Sequence, residues 1–384
     1  MSRIDDLINE LCPDGVEYKN LGSLASVNTG SQLNKTALSK AGEYPVINGG
    51  ISPSGYYHLS NTEEDTIAIS QGGASAGYVN FIHTKFWAGA HCFVIKPITE
   101  CIENKYLYYI LKNDQDKFMN AKLGAGIPGL NRKELTNYLI PIPPLAIQQE
   151  IVNILDKFTT LEAELEAELE ARKKQYEYYL NQLLTPVEVD GKYYLNTKDV
   201  LNKKLGDLVA ISTGKLNANA MDEEGLYPFF TCAEKPYRIN TYAFDTEAIL
   251  VSGNGSQVGH INHYRGKFNA YQRTYVLHKF SSSIIVQYLL FYLKGHLKSY
   301  ILSNVKEGSV PYITLPMLLS FQIPIPPLEE QERIVSILEK FDALVSDISV
   351  GLPAEIEARR KQYEYYRNKL LRFKNIADAQ GGHR

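Results

Sequence analysis

Side chains able to hold a metal or act as a nucleophile are present in this chain, but their spacing does not let them work together. The four cysteines, Cys12, Cys92, Cys101 and Cys232, form no C-x-x-C pair and no even framework, so they read as free thiols in a reducing cytoplasm. A zinc site needs four converging ligands. Only His91-Cys92 sets two candidates side by side, and that pair suits ordinary strand packing. The run Pro13-Asp14-Gly15-Val16-Glu17-Tyr18-Lys19 imitates a nuclease PD…ExK pattern. Carboxylates that share a metal must come from separate strands, and these share one Pro-Asp-Gly turn leading into a strand. An amino-methyltransferase needs Asn/Asp-Pro-Pro-aromatic to hold its target nitrogen, yet the Pro-Pro pairs here stand only in Ile-Pro-Pro-Leu. Gly253-Asn254-Gly255 and Gly124-Ala125-Gly126 lack the third glycine of a dinucleotide turn, and neither a Walker motif nor H-E-x-x-H is present. No catalytic residue and no metal ligand is assigned.

The elements that would position any functional side chain come twice. LIPIPPLAIQQEIVNILDKF (139–158) returns as QIPIPPLEEQERIVSILEKF (322–341), and ARKKQYEYYLNQLL (171–184) returns as ARRKQYEYYRNKLL (358–371) with 11 of 14 positions identical. LGSLASVNTG (21–30) returns as LGDLVAISTG (205–214). Between these anchors the halves diverge but stay aligned, with ISQGGASAGYVN (69–80) over VSGNGSQVGHIN (251–262) and KFWAGAHCFVI (85–95) over KFNAYQRTYVL (267–277). A period this long marks a duplicated domain-plus-helix unit rather than a solenoid. Near-identical helices imply one task done twice; divergent globular parts imply two ligands, or two stretches of one ligand.

Each globular block alternates short apolar runs with turn residues, which predicts a small twisted β-rich domain. Helices follow at Asn104–Lys112 and Ile284–Leu297, then Gly/Pro loops at Gly124–Pro128 and Gly308–Pro311. The Ile-Pro-Ile-Pro-Pro run is expected to be a stiff extended connector ending each domain. In the long helix after it, Ile147, Ile151, Ile154, Phe158, Leu161 and Leu165 form a heptad seam, which Pro186 stops. Ile334, Ile337, Phe341, Leu344 and Ile348 repeat the seam, and Gly351-Leu352-Pro353 predicts a break. In KQYEYY, Tyr176 and Tyr179 share one helix face and Tyr178 points elsewhere, as do Tyr363 and Tyr366 against Tyr365. Apolar bulk on two faces suggests one buried against a partner helix and the other against a second protein.

Composition adds bounds. Of 384 residues, 44% are hydrophobic, and 27 tyrosines against one tryptophan suit half-buried surfaces. No apolar stretch is long enough to span a bilayer, and the acidic start MSRIDDLINE does not read as a signal peptide. Net charge is −3. Residues 19–145 carry 11 basic against 9 acidic side chains and residues 205–323 carry 10 against 8. The two blocks are therefore +2 each and the remainder is −7, a weak signal for a polyanionic partner.

The paired I-P-I-P-P-L helices, the ARKKQYEYY/ARRKQYEYY segments, the tetrads LEAE-LEAE-LEAR (Leu161–Arg172) and the Gly-rich segments together resemble the specificity subunit of type I restriction–modification systems over nearly the whole chain. The resemblance implies an α+β fold with two β-rich target-recognition domains, each followed by a long helix. The helices pair as an antiparallel coiled-coil spacer, and the whole carries an internal pseudo-two-fold duplication. The expected boundaries are 1–145 for the first recognition domain, 146–185 for the central spacer helix and 186–328 for the second recognition domain. The C-terminal spacer helix takes 329–374, and 375–384 is a tail. The resemblance further implies that each domain reads one half of a bipartite site on double-stranded DNA. The helices dock two methyltransferase subunits, and two restriction subunits can join. S-adenosylmethionine, ATP and Mg belong to those partners, and this chain holds no cofactor.

The residues agree with that reading. Glycine lets backbone amides approach phosphates, and Arg, Lys, Gln, Asn and His can bond base edges in the major groove. The DNA-binding candidates are Ser70, Gln71, Lys85, Trp87 and His91 in the first domain. In the second they are Ser252, Asn254, Ser256, Gln257, Lys267, Gln272 and Arg273. The partner-binding candidates are Tyr176, Tyr178, Tyr179, Tyr363, Tyr365 and Tyr366. A two-domain protein-binding scaffold and a self-contained methyltransferase or nuclease are the alternatives from other classes.

Overall fold

The computed structural model describes residues 3–120, 129–196, 198–304, 311–346 and 350–377, so the Gly124–Pro128 loop, most of Gly308–Pro311, and Ile348 lie outside the described residues. The chain divides into two compact units. One takes the chain up to Leu165 together with Ile356 onward, and the other runs from Glu166 to Glu355. The duplicated unit of sequence is therefore not the compact unit of space: each unit contains one globular domain, the start of the helix that follows it, and the end of the other long helix.

In the first unit the central strand is Thr66–Ser70, all five residues buried. It pairs antiparallel with Val79–Ile82 on one side and Cys92–Pro97 on the other, and Ala25–Thr29 completes the sheet. Alternation sends Ile67 and Ile69 toward the core that holds Tyr106, Leu107 and Ile110 of the helix Asn104–Asn113. Ala68 faces a smaller core with Ile47, Phe86 and Ala88. A strand buried on both faces must read as a continuous apolar run, which is what TIAIS does. The second unit repeats this. Ile249 and Val251 of Phe244–Ser252 face the helix Val286–Ser303, while Ala248 and Leu250 face Phe230 and Phe268. Its sheet is larger, because Ile261–Ala270 is one long strand that spans positions occupied in the first unit by two short strands, Val79–Ile82 and Trp87–Ala88.

The Ile-Pro-Ile-Pro-Pro runs are not free connectors. Leu139–Ile142 pairs antiparallel with Glu17–Asn20, and Gln322–Ile325 with the end of Lys198–Lys204. Proline is tolerated because each pairs on one side only at that position. The Pro13-Asp14 turn, with Gly15 at φ +106°, leads into Glu17–Asn20 as the turn reading required.

The central helix runs Leu145–Leu184, about 60 Å at 1.5 Å per residue. Its seam does two jobs. Ile147 and Ile151 of the seam, and Leu155 beside it, are fully buried in the core of the first domain, each contributing about 2 kcal/mol by apolar burial, while the seam's Ile154 packs against that core half-buried. Further along, Phe158 stacks on Tyr366 and Glu162 pairs with Arg360 at 2.6 Å, so the helix Leu352–Leu370 runs antiparallel to it. In the second unit Ile334 and Leu338 of Leu328–Ser346 enter the domain core, and Phe341 stacks on Tyr179 of the central helix's later half. The expected break appears at Val350 and Gly351, which are non-helical immediately before Leu352–Leu370 begins. Past the last helix, the chain returns to the first domain: Val16 donates to Lys374 O at 2.8 Å, Ile376 N to Val16 O at 3.2 Å, and Tyr18 Oη to Phe373 O at 2.8 Å. The start of the tail is thus tied down.

One identical pair of residues clamps each helix start to its domain. Gln148 and Gln331 are both fully buried. Gln148 Oε1 accepts from Glu103 N, and its Nε2 donates to Cys101 O and Pro143 O. Gln331 repeats the pattern with Ile285 N, Ser283 O and Pro326 O. Tyr106 and Tyr288 add hydroxyl donation to Pro141 O and Pro324 O.

Candidate nucleic-acid interface

The Gly-rich segments close the central hairpins as tight turns with matching backbone. Gly73 and Gly255 lie at φ +82° and +83°, Gly77 and Gly259 at +91° and +78°. Nothing lies within 4 Å of where a Cβ on Gly73 or Gly255 would sit, so those two glycines answer to conformation alone. Gly77 is also needed for space, since its Cβ would meet Met119 N at 2.6 Å. Each turn is pinned at its root. Leu130 N donates to Gln71 O and Ile313 N to Gly253 O, both at 2.8 Å, and Gly72 bridges Gly129 as Asn254 bridges Tyr312.

These turns gather part of the expected set. In the first domain Gln71 N donates to His91 O at 2.8 Å, and His91 N to Asn48 Oδ1 at 2.9 Å, so Gln71, His91 and the Asn48-Gly49-Gly50 loop lie together. Beside them a cavity of about 560 Å³ is lined by Gln32, Lys35, Lys40, Asn48 and Ser54 among others. In the second domain Asn254, Gln272 and Arg273 line a hollow of about 260 Å³ with Tyr312, while Ser256 and Gln257 are exposed at the turn. Gln272 Nε2 donates to Asn217 Oδ1 at 2.9 Å, and Cys232 Sγ to Asn254 Oδ1 at 3.2 Å.

Other candidates sit elsewhere. Lys85 and Lys267 stand at the opposite end of the hairpin from the turn, because the second strand carries the chain away from it: Thr66 faces Ile82, and Asp245 faces Lys267. Lys85 pairs with Glu63 at 2.9 Å, which raises the lysine and lowers the carboxylate from their usual values. Lys267 Nζ lies 4.7 Å from the centre of the Tyr242 ring. Ser70 and Ser252 are only 3% and 2% exposed. Ser70 Oγ donates to Gly50 O at 3.2 Å, bracing the neighbouring loop from inside. Trp87 is half-buried, its indole N–H donating to Ser31 O at 3.1 Å. Asn48, Cys232 and Tyr312 escaped the sequence reading. The Asn-Gly-Gly triplet at Asn48 was the one available signal, because the others come to the site through strand pairing.

On the helices, Tyr176 and Tyr179 stack on Phe341, and Tyr363 packs against the first core. Burial raises the Tyr176 and Tyr363 hydroxyls above the usual phenol range. The structure commits these three to packing inside their own units rather than to an outer surface. Tyr366, 41% exposed, stacks on Phe158. Tyr178 and Tyr365, at 61% and 64%, face outward at equivalent positions.

His91 is exposed and Cys92 buried, as neighbours at the start of a strand should be, and burial pushes the Cys92 thiol up to about 12. Among the described residues no cluster of three or more His, Cys, Asp or Glu side chains is placed to hold a metal. No described helix is long and apolar enough to cross a membrane.

Comparison with known proteins agrees with this geometry. The family model described as type I restriction modification DNA specificity domain matches twice, over residues 13–171 and 197–358. The chain is 35% identical to the type I restriction enzyme EcoR124I/EcoR124II specificity subunit of Escherichia coli, over 73% of this chain and 74% of that one. It is 32% identical to a putative type I specificity subunit of Haemophilus influenzae, over 93% and 96%. Its fold is similar to the type I restriction–modification S subunit from M. genitalium, with TM-score 0.67 at 20% identity over 93% of this chain and 96% of that one.

Proposed function

The chain belongs to the type I restriction–modification DNA specificity family, and from that premise we propose that each of its two domains reads one half of a bipartite site on double-stranded DNA. The carrying observation is the duplication itself. The same positive-φ turn, pinned by the same backbone bonds, presents Gln71 and His91 in one domain and Asn254 and Arg273 in the other. Identical presentation of different hydrogen-bonding groups is what two readers of two sequences require. Recognition is the whole of its part. The absence of methyltransferase and nucleotide motifs from the sequence supports a subunit that contributes no catalytic group. S-adenosylmethionine, ATP and Mg then act on partner chains, and the complex works in the cytoplasm.

The partners are two methyltransferase subunits, joined in some assemblies by two restriction subunits. Duplication again supports this, since Tyr178 and Tyr365 present one outward tyrosine each from the same KQYEYY sequence. Mapping methylated bases in a host carrying the chain with its methyltransferase should yield one split, asymmetric motif, and the purified chain alone should not bind S-adenosylmethionine. A motif that is continuous, or cofactor binding by the lone chain, would remove the reading. Mass measurement should find two methyltransferases per chain. Tyr178→Asp and Tyr365→Asp should each weaken one docking event by about tenfold or more, because a buried carboxylate would lack a partner. Unaltered assembly of the double variant would take these tyrosines out of the interface.

A further inference from the structure

The turn of the second domain has a second side, turned toward the helix Val286–Ser303. Val258 is buried, and a Cβ on Gly259 would lie 3.0 Å from Ile301 Cδ1 and 3.8 Å from Lys298 Cα. The turn is therefore seated directly on the helix. Beside that seat opens a hollow of about 270 Å³, lined by Ser256 to Ile261, Lys294 and Lys298. The two lysines are four residues apart, hence on one helix face, and both are exposed. The carboxylate paired with Lys294 is that of Asp342, at 3.8 Å, and among the described residues none lies within ion-pairing distance of Lys298. The ring of His260 is held by Glu234 O at 3.2 Å.

The first domain fills the same place. With the offset of 182 that relates Gly77 to Gly259, Tyr78 stands for His260, Lys112 for Lys294 and Asp116 for Lys298. The Tyr78 ring covers Lys112 Nζ at 4.1 Å, and Nζ donates to Val79 O at 2.9 Å and Gln115 Oε1 at 2.8 Å. Burial lowers that ammonium to about 8. One domain thus has a plugged and satisfied lysine; the other has an open hollow with two cations, a hydroxyl from Ser256 and an amide from Gln257.

We propose that the second domain holds a backbone phosphate of its DNA half-site between the Ser256–His260 turn and Lys294 and Lys298, and that the first domain has no counterpart. This rests on the DNA-reading function above. A phosphodiester oxygen suits the hollow, because two exposed lysines and neutral donors line it. The same turn begins at Gly253 and Asn254, so a phosphate held on its helix side fixes how Asn254 and Arg273 meet the bases on the other.

The test uses the chain assembled with its methyltransferase subunits and a duplex carrying the methylated motif, titrated across salt concentrations. Lys294→Ala/Lys298→Ala should weaken binding by roughly tenfold near 100 mM salt. It should also lower the slope of log K against log salt by about 0.9 in magnitude, the loss of one phosphate contact, with the motif unchanged. Lys298→Arg should retain the slope, and Lys112→Met in the first domain should leave it as in the wild type. Wild-type affinity and slope in the double alanine variant would overturn the phosphate site while leaving the DNA-reading function standing. Loss of subunit assembly instead of salt dependence would mean that the lysines face protein, and would also overturn it. If the wild-type complex itself showed no motif preference, both readings would fall together.

Discussion

The two recognition domains share a frame and differ in what the frame displays, and the residues divide accordingly. Identity holds where one side chain alone satisfies a physical demand. Gln148 and Gln331, themselves buried, must offer an acceptor and two donors to backbone groups. Tyr106 and Tyr288 must fill a core and still reach a carbonyl. Gly73 and Gly255 must take positive φ. Identity fails around the turns: Asn48-Gly49-Gly50 aligns with Thr231-Cys232-Ala233, His91 with Arg273, and Tyr78 over a half-buried lysine with His260 beside two open ones. Those positions make few backbone demands, so a ligand is free to set them.

The largest effect that could break this comparison comes from moving a display without its frame. Exchanging residues 205–323 for the matching block of another specificity subunit should replace one half of the methylated motif completely and leave the other half as it was. Motif mapping checks this. A change in both halves would mean that the domains do not read independently.

A smaller effect tests the frame. Gln148→Ala and Gln331→Ala each strand three backbone partners, one of them buried and two half-buried, so each should cost about 2–4 kcal/mol, and the two costs should agree within about 1 kcal/mol if the clamps are equivalent. Denaturant or thermal unfolding of the two variants decides it. A costly change at one site and a silent one at the other would show that the duplication is one of sequence only.

How far the sequence revealed this arrangement depends on how local each feature is. The repeat, the break at Gly351–Pro353, the stop at Pro186 and the Gly turns are set within a few residues, and all were readable. The clamping glutamines carried a signal too, being identical polar residues at equivalent positions near the start of both seams. Features set by distant pairing were not readable. The Ile-Pro-Ile runs became strands because Glu17–Asn20 and Lys198–Lys204 come alongside. Lys85 and Lys267 follow the turns closely in sequence, yet the hairpin takes them one strand length away. Nor could periodicity show that the seam changes partner, from domain core at Ile147–Leu155 to the opposing helix at Phe158.

The smallest expected effect concerns the stretch of the central helix that belongs to neither display. LEAE occurs at Leu161–Glu164 and again at Leu165–Glu168, followed by LEAR, and the division between the two compact units falls between Leu165 and Glu166. Leu161, Leu165 and Leu169 are half-buried, while Glu164, Glu166 and Glu168 are exposed, so the tetrads have a covered side and a solvated side. Four residues make slightly more than one turn. Deleting Leu165–Glu168 should therefore shorten the helix by about 6 Å, rotate one end by about 40° and keep leucine on the covered side. If the helix sets the distance between the readers, the unread stretch between the half-sites should shrink by one or two base pairs, at about 3.4 Å per pair, with both half-sites intact. If the tetrads are only a solvated acidic face, the motif should be the same in deletion and wild type. Mapping both motifs separates the two cases. A change in half-site sequence would count against either, since neither display contains a residue of the deleted turn.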